Sequence, residues 1–227
     1  MEKIKLNIGS YNIANGGYAG HDMRLLADDI LSKELDVVGL QEVDIGTGRV
    51  GGMDTMAVLS RLTGYGYYAF FKTIDFWGGD YGVAILSKYP ITESVRREID
   101  SEIHEQRVLG QAKIDLGGKI LNFFVTHLSW EDDELRGRQF EYLNSVLAGE
   151  ENFILTGDFN CNSLAEFDVL DGAAWVNTAD APMITCGKHE CIDNIVYSAN
   201  NITCGKAETL DNGHSDHRML YAAAEIS

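Results

Sequence analysis

The residues of this chain that could do chemistry sit at the ends of apolar runs. In ILTGDFNCN (154–162), three strand-like residues give way to Gly157, Asp158, Phe159 and Asn160. Residues i and i+2 of an extended chain point to the same face. Asp158 and Asn160 could therefore bring two oxygens to one point, as a hard cation or a positioned water requires. The same residues equally suit a strand running into a turn, where Asp and Asn bond their own backbone. The pattern recurs along the chain. IKLNIGSYN ends on Asn12, DVVGLQEVD delivers Glu42, and LNFFVTHL delivers His127. CIDNIVYS carries Asp193, and GHSDHR sets Asp216 and His217 just before a last apolar run. Each has a plain reading alone: Asn12 as a turn cap, Glu42 as a surface acid, His127 as a satisfied interior histidine. Strand ends on one rim of a sheet cluster in space, however. An Asp, Asn, Glu and His set on one rim resembles an oxygen-rich magnesium site with acid–base groups beside it.

The elements that must position these residues are legible from periodicity. Ile4, Leu6 and Ile8 alternate with Lys5 and Asn7 as a strand, and Asp22 caps a helix carrying Leu25, Leu26, Ile30 and Leu35. DVVGLQEVD reads as a strand buried on both faces. Asp54 to Leu62 reads as a helix closed by Gly64. YYAFF, YGVAILS and the charged run around Arg96 to Glu98 predict strands, the charged one at an edge. VLGQAKIDL and KILNFFVTHL are joined by Gly117-Gly118, a hairpin signal, and Glu134 to Leu147 is an amphipathic helix. ILTGDFN, CIDNIVYS and RMLYAAAEI supply three more strands. Strands outnumber helices and hairpins mix with crossovers. That predicts an α/β (α+β) fold of mixed, mostly antiparallel sheets with helices outside. IGSYNIAN and LTGDFNCN also echo one another, as would suit two similar halves facing each other.

Composition sets the outer bounds. The 227 residues are 45% hydrophobic, with only two prolines and no linker-like tract, which predicts one domain over residues 1–227. A formal charge of −17 argues against a broad phosphate-tracking surface, because sequence-independent nucleic-acid binding rests on Lys and Arg. It leaves room for a few well-placed cations in a cleft. The opening MEKIKLNIGSYNI has no signal-peptide core and no run reaches the roughly 18 residues of a membrane span, so a cytoplasmic monomer is expected. The four cysteines are expected as free thiols. The alternative is a zinc site from Cys186, His189, Cys191 and Cys204, although CGKHEC matches no usual spacing.

SYNIAN, LQEVD, YGVAILSKYPI, EQRVLGQAKI, THLSW, TGDFN, IDNIVYS and SDH occur here in a fixed order from about residue 4 to residue 224. In this the chain resembles the endonuclease/exonuclease/phosphatase superfamily, the deoxyribonuclease I-like group, and most nearly its small bacterial metal-dependent hydrolases. The resemblance implies a four-layer sandwich of two mixed sheets face to face, with helices outside and the site at one end. It implies phosphoester hydrolysis with Mg²⁺, or alternatively Mn²⁺. Glu42 matches the metal carboxylate with Asn12 beside it, and Asp216 matches a further metal-side acid. Asp158 matches the residue that orients or deprotonates the attacking water, and Asn160 the amide holding phosphate or nucleophile. His217 matches the histidine opposite the phosphorus, with Asp193 orienting it. His127 and Arg107 match phosphate-contacting positions. The base, and a count of one metal or two, stay open between alternatives.

The expected substrate is a small or lipid-derived phosphoester. A nuclease on DNA or RNA is the competing reading, and a catalytically silent binding module a third. Asn194 stands after Asp193 where the family usually has Tyr. Asp80 could pair with His127. Trp77 and Trp130 could stack on a base or headgroup but are expected in the core, and Cys161 is expected to be inert because nearby carboxylates raise its pKa.

Overall fold

The computed structural model of the protein describes residues 3–227, so the first two residues of the expected domain lie outside the described residues. In chain order the elements are β1 (Ile4–Asn12), α1 (Met23–Ser32), β2 (Val37–Ile45), α2 (Thr55–Thr63), β3 (Tyr67–Phe76), β4 (Gly79–Ser87), β5 (Ile91–Ile99) and β6 (Arg107–Asp115). They continue with β7 (Ile120–His127), α3 (Asp133–Leu147), β8 (Phe153–Asp158), β9 (Ala173–Trp175), β10 (Asp193–Ser198), β11 (Ile202–Cys204), β12 (Glu208–Leu210) and β13 (Met219–Ile226). One sheet runs β11-β13-β1-β2-β4-β3, with β12 also on β13, and the other runs β5-β6-β7-β8-β10-β9. Among the described residues, only β1–β2 and β7–β8 are parallel pairs.

The alternation of each strand explains the layers. Leu6, Ile8, Phe71 and Val83 of the first sheet meet Phe123, Val125, Ile154 and Ile195 of the second in a shared core. Their neighbours in sequence point outward. Val38, Leu40, Ala84 and Leu86 carry α1 and α2 through Leu26, Ile30, Met56 and Leu59. Phe124, Leu155 and Val196 carry α3 through Phe140, Leu143 and Leu147. The result is helix, sheet, sheet, helix, the four-layer α/β arrangement that the resemblance implied.

Local signals behave as their chemistry dictates. Asp22, Asp54 and Asp132 each accept a backbone N–H in the first turn of their helix. Gly64 closes α2 in the left-handed region, which glycine adopts without strain. The charged strand β5 is indeed an edge. The three-residue strands β9, β11 and β12, and a 3₁₀ turn at Leu164–Val169, carry no periodic signal and were not legible in sequence.

One contact fixes the spacing of the sheets beneath the rim. A Cβ on Gly39 of β2 would lie 1.9 Å from Thr156 Oγ1 of β8. Any side chain there must push the sheets apart. Gly39→Ala is therefore expected to cost about 1–3 kcal/mol, as overpacking of a filled core does. Thr156→Ala in the same chain should recover part of that loss. Chemical denaturation of the two single variants and the double variant measures the coupling.

Candidate active site

The polar strand ends converge where the two sheets meet. β1 supplies Asn12 and β2 supplies Glu42; from the facing sheet, β7 supplies His127, β8 Asp158 and β10 Asp193. The segment before β13 adds His217. β1 and β8, the two strands whose ends echo one another in sequence, meet here: Asn12 Nδ2 donates to Asp158 Oδ2 at 3.0 Å.

Asn12 is fully buried and its amide spans the site. Its NH₂ group also donates to Glu42 Oε1 at 3.0 Å, while its oxygen accepts the Ala14 N–H at 3.0 Å. Expected beside the metal, Asn12 thus spends its oxygen on the backbone and holds two carboxylates together. Glu42 reaches this position through a β-bulge. The β2–β4 pairing slips between Leu40 and Val43, and Glu42 takes a left-handed φ of 56°. Such a conformation is uncommon outside glycine and clusters at functional sites.

Asp158 is 2% exposed. Burial and the nearby Asp193 carboxylate push its pKa up to about 7, against the pull of His217, Asn12 and the Asn160 N–H. The strand ends at Asp158. Asn160 lies beyond it with φ 48°, its N–H donating to Asp158 Oδ1 at 3.1 Å and its side-chain NH₂ to the Leu128 carbonyl at 3.0 Å. The strand parity anticipated for Asp158 and Asn160 is therefore replaced by a turn. Both still line one pocket.

The histidines differ in charge. His217 Nδ1 lies 2.9 Å from Asp193 Oδ2, and its Nε2 lies 3.6 Å from Asp158 Oδ2. Burial, the largest single influence, would lower its pKa, but the charge and hydrogen bond of Asp193, joined by Cys186 and Asp158, together hold it well above the ordinary value, as a cation at neutral pH. His127 Nε2 lies 3.4 Å from Asp158 Oδ2. Burial, then the charges of Arg107 and His217, hold its pKa well below the usual value, so it is neutral. Asp158, Asp193 and His217 are the one such group of metal-capable side chains within 4.8 Å of each other among the described residues. Within this group Asp193 and His217 are already bonded to each other.

A pocket of about 290 Å³ opens over these groups, lined by Glu42, Arg107, His127, Asp158, Asn160 and His217 together with residues not anticipated from sequence. Arg107 is 3% exposed, its Nη1 2.8 Å from Glu105 Oε1, and its Nε has no partner. Glu105, Tyr81, Trp130, Glu190 and Ile192 complete the wall, and the Cys186 thiol lies against His217. Only the EQR segment carried a signal that could have found Glu105. Asp216 is exposed and receives the Tyr18 hydroxyl at 3.3 Å, outside the pocket lining.

Three expectations are corrected, and that of free cysteine thiols holds. Asp80 does not meet His127: its carboxylate is 2.6 Å from Lys72 Nζ, and the acid facing His127 is Asp158. Trp77 and Trp130 are 69% and 68% exposed, because both lie in loops beyond strand or helix ends. Cys161 has its pKa pushed up to about 12, but burial is the larger cause and Glu166 and Asp158 only add to it. The four cysteines are free thiols, and Cys186, His189, Cys191 and Cys204 form no ligating group among the described residues. Asn194, the departure after Asp193, exchanges two hydrogen bonds with the Asn177 backbone at 2.9 and 3.0 Å and so anchors the loop that follows β9.

The segment bearing His217 is itself tied down. Asp29 of α1, 2% exposed, accepts from Tyr11 OH at 3.1 Å and Asn212 Nδ2 at 2.7 Å, and bonds His214 Nδ1 at 2.9 Å. Ser215 Oγ donates to the Asn12 carbonyl at 2.7 Å. Helix α1 and strand β1 thereby fix where Asp216 and His217 begin.

The comparisons with known proteins agree with this geometry. Residues 9–217 match the model of the Endonuclease/Exonuclease/phosphatase family. No curated protein matches by sequence. Among solved structures, a family protein from Bacteroides thetaiotaomicron superposes with a TM-score of 0.79 at 15% identity, covering 100% of both chains. TDP2 of D. rerio, complexed with a single-strand DNA product, gives 0.74 at 21% identity over 97% of this chain and 98% of its own. A mannosyl-6-phosphatase of Bacteroides thetaiotaomicron gives 0.73 at 15% over 96% and 98%. At these identities the likeness is one of fold, and it is the family match over residues 9–217 that identifies the chain as a member of the endonuclease/exonuclease/phosphatase family, hydrolases that act on phosphoester bonds.

Proposed function

We propose that the protein is a single-domain, divalent-metal-dependent phosphoesterase acting on a small or lipid-derived phosphoester, with Mg²⁺, or Mn²⁺ in its place, as the ion. The observation that carries this reading is the pairing, in one pocket, of a buried arginine donor without a partner with a buried carboxylate whose pKa is raised to about 7. Perturbed groups of complementary kind in one cleft are the mark of acid–base chemistry.

The donor set fits a hard cation. Glu42 presents carboxylate oxygen at the pocket, and Glu105 feels the charge of both Glu131 and Glu42, a repulsion that a cation would relieve. Glu42 would hold the ion, with Asp216 as a further acid on the metal side. When bound, the ion supplies positive charge against the negative charge that builds on the phosphoryl oxygens. The chain's own residues do the rest. Arg107 and neutral His127 donate to phosphate oxygens, and Asn160 orients the phosphate or the water. Asp158, kept close to its titration point, takes a proton from the attacking water near neutral pH. Cationic His217, held by Asp193, faces the charge that develops on the opposite side.

Two neighbours of similar fold differ in what they meet, one a DNA product and the other a mannosyl phosphate. The charge of −17 and the compensation of Arg107 by Glu105 favour a small substrate over a polynucleotide.

Hydrolysis of bis(p-nitrophenyl) phosphate and p-nitrophenyl phosphate is expected with Mg²⁺ and lost on adding EDTA. Asp158→Asn should lower kcat by roughly 10²–10⁴, the usual range for a general base. An active Asp158→Asn enzyme would overturn the assignment. Arg107→Lys keeps the charge but loses the planar fork, so KM for the same esters should rise about tenfold, measured by initial rates.

The raised pKa of Asp158 also makes a stability statement. A carboxyl that holds its proton more tightly folded than unfolded loses stability as pH climbs from about 4 to about 7, and that loss persists above. Asp158→Asn in EDTA should therefore be more stable than the parent at pH 8, on the order of 1–2 kcal/mol because His217 also loses one of its two carboxylates. The gain should vanish at pH 4, as thermal melts at the two pH values would show.

A further inference from the structure

The reaction pocket does not close behind Trp130. Trp130, Asn160, Glu190 and Ile192 wall both that pocket and a second cleft of about 620 Å³. The volume lies within the roughly 300–1,000 Å³ of small-molecule sites. Residues that follow β8 form one side of this cleft, and Ala179 and His189 form the other.

The side bearing Asn162 and Ser163 is held rigidly. Ser163 and Glu166 form a reciprocal capping box, and Arg136, 1% exposed, donates to Glu166 through Nε at 2.8 Å and Nη2 at 3.3 Å. Asn162 is fixed by its side-chain NH₂ donating to Asp133 Oδ1 at 2.8 Å, which leaves its amide oxygen as an acceptor. Ser163 Oγ already accepts the Ala165 N–H at 3.2 Å and keeps its own proton to donate. Groups held in place before binding lose little freedom when they bind.

The chemistry of the wall selects among ligands. It contains no Lys or Arg, and its acid is Glu190. A polynucleotide would bring a further phosphate at each step, and phosphates are held by cations. An acyl chain would need continuous apolar wall, but Leu164, Ala179 and Ile192 are interrupted by amide, hydroxyl and carboxylate groups. What remains is a ring with an apolar C–H face and hydroxyls at its edge. The exposed indole of Trp130 offers such a ring a flat apolar surface. Asn162, Ser163 and Glu190 offer acceptors and a donor for its hydroxyls.

We propose that this cleft holds the alcohol part of the ester and that the alcohol is a sugar, so that the substrate class is a sugar phosphate. The phosphate occupies the reaction pocket and the sugar ring lies against Trp130. This rests on the phosphoesterase reading above.

The experiment compares, with the full chain and Mg²⁺, a panel of hexose 1- and 6-phosphates, AMP, a single-stranded oligonucleotide and p-nitrophenyl phosphate. At least one hexose phosphate is expected to exceed AMP and the oligonucleotide tenfold or more in kcat/KM. Ala179→Trp, which fills the cleft from the side away from the reaction pocket, is expected to lower kcat/KM for that sugar phosphate at least tenfold more than for p-nitrophenyl phosphate, chiefly through KM. Asn162→Ala should act in the same direction. A preference for AMP or the oligonucleotide, or equal losses on the sugar and nitrophenyl esters, overturns the sugar assignment alone. Failure to turn over any ester, p-nitrophenyl phosphate included, overturns the phosphoesterase reading and this one with it.

Discussion

A carboxylate almost wholly buried at the meeting line of two sheets is the constraint on which the rest of the site depends. An isolated buried carboxylate costs several kcal/mol, even after relaxation of its surroundings. Asp158 is tolerated because the Asn12 amide from β1 and the Asn160 N–H from its own turn donate to it, and the His217 cation from the segment before β13 lies 3.6 Å away. None of these offsets the cost alone, and together they leave the acid near its titration point instead of fully ionised. That outcome requires the sheets to approach closely. The missing side chain at Gly39, opposite Thr156, is what permits it. The same polar layer leaves Ser10 Oγ, the Gln41 amide and Asp193 Oδ1 buried without protein partners.

Much of this was legible in the sequence, for a physical reason. Strand periodicity is a local property, so the ends of β1, β2, β7, β8 and β10 could be found, and with them the acids, amides and histidines that they carry. The misreadings come from contacts across strands and from loops. Asp80 is claimed by Lys72 on the neighbouring strand, a pairing set by sheet register and invisible in a linear reading. Trp77 and Trp130 carry core-like side chains on segments that never enter the core. Asp29 lies 185 residues from the His214 that it bonds, and no local pattern links them. The bulge that turns Glu42 toward Asn12 is likewise a property of the β2–β4 pairing, with no signature in LQEVD itself.

Electrostatics gives the site an inverted relation to its protein. A chain of formal charge −17 repels an anion at long range, yet the pocket is lined by Arg107 and a cationic His217. Long-range repulsion is screened by salt, whereas contacts in a dry pocket are screened little. Selection among anions therefore falls to the short-range geometry of the walls, and bulk attraction contributes nothing to it.

The bulge at Glu42 divides the rim mechanically. Asp158 and His127 emerge from ladder positions paired directly with each other, so any displacement of one drags the hydrogen-bonded frame of the second sheet. Glu42 stands off its ladder, tethered to the fold by a side-chain bond to Asn12 and by a backbone already twisted out of register. One flank of the cleft is thus stiff and the other compliant. A shift of Glu42 therefore need not disturb the paired Asp158 and His127 across the cleft.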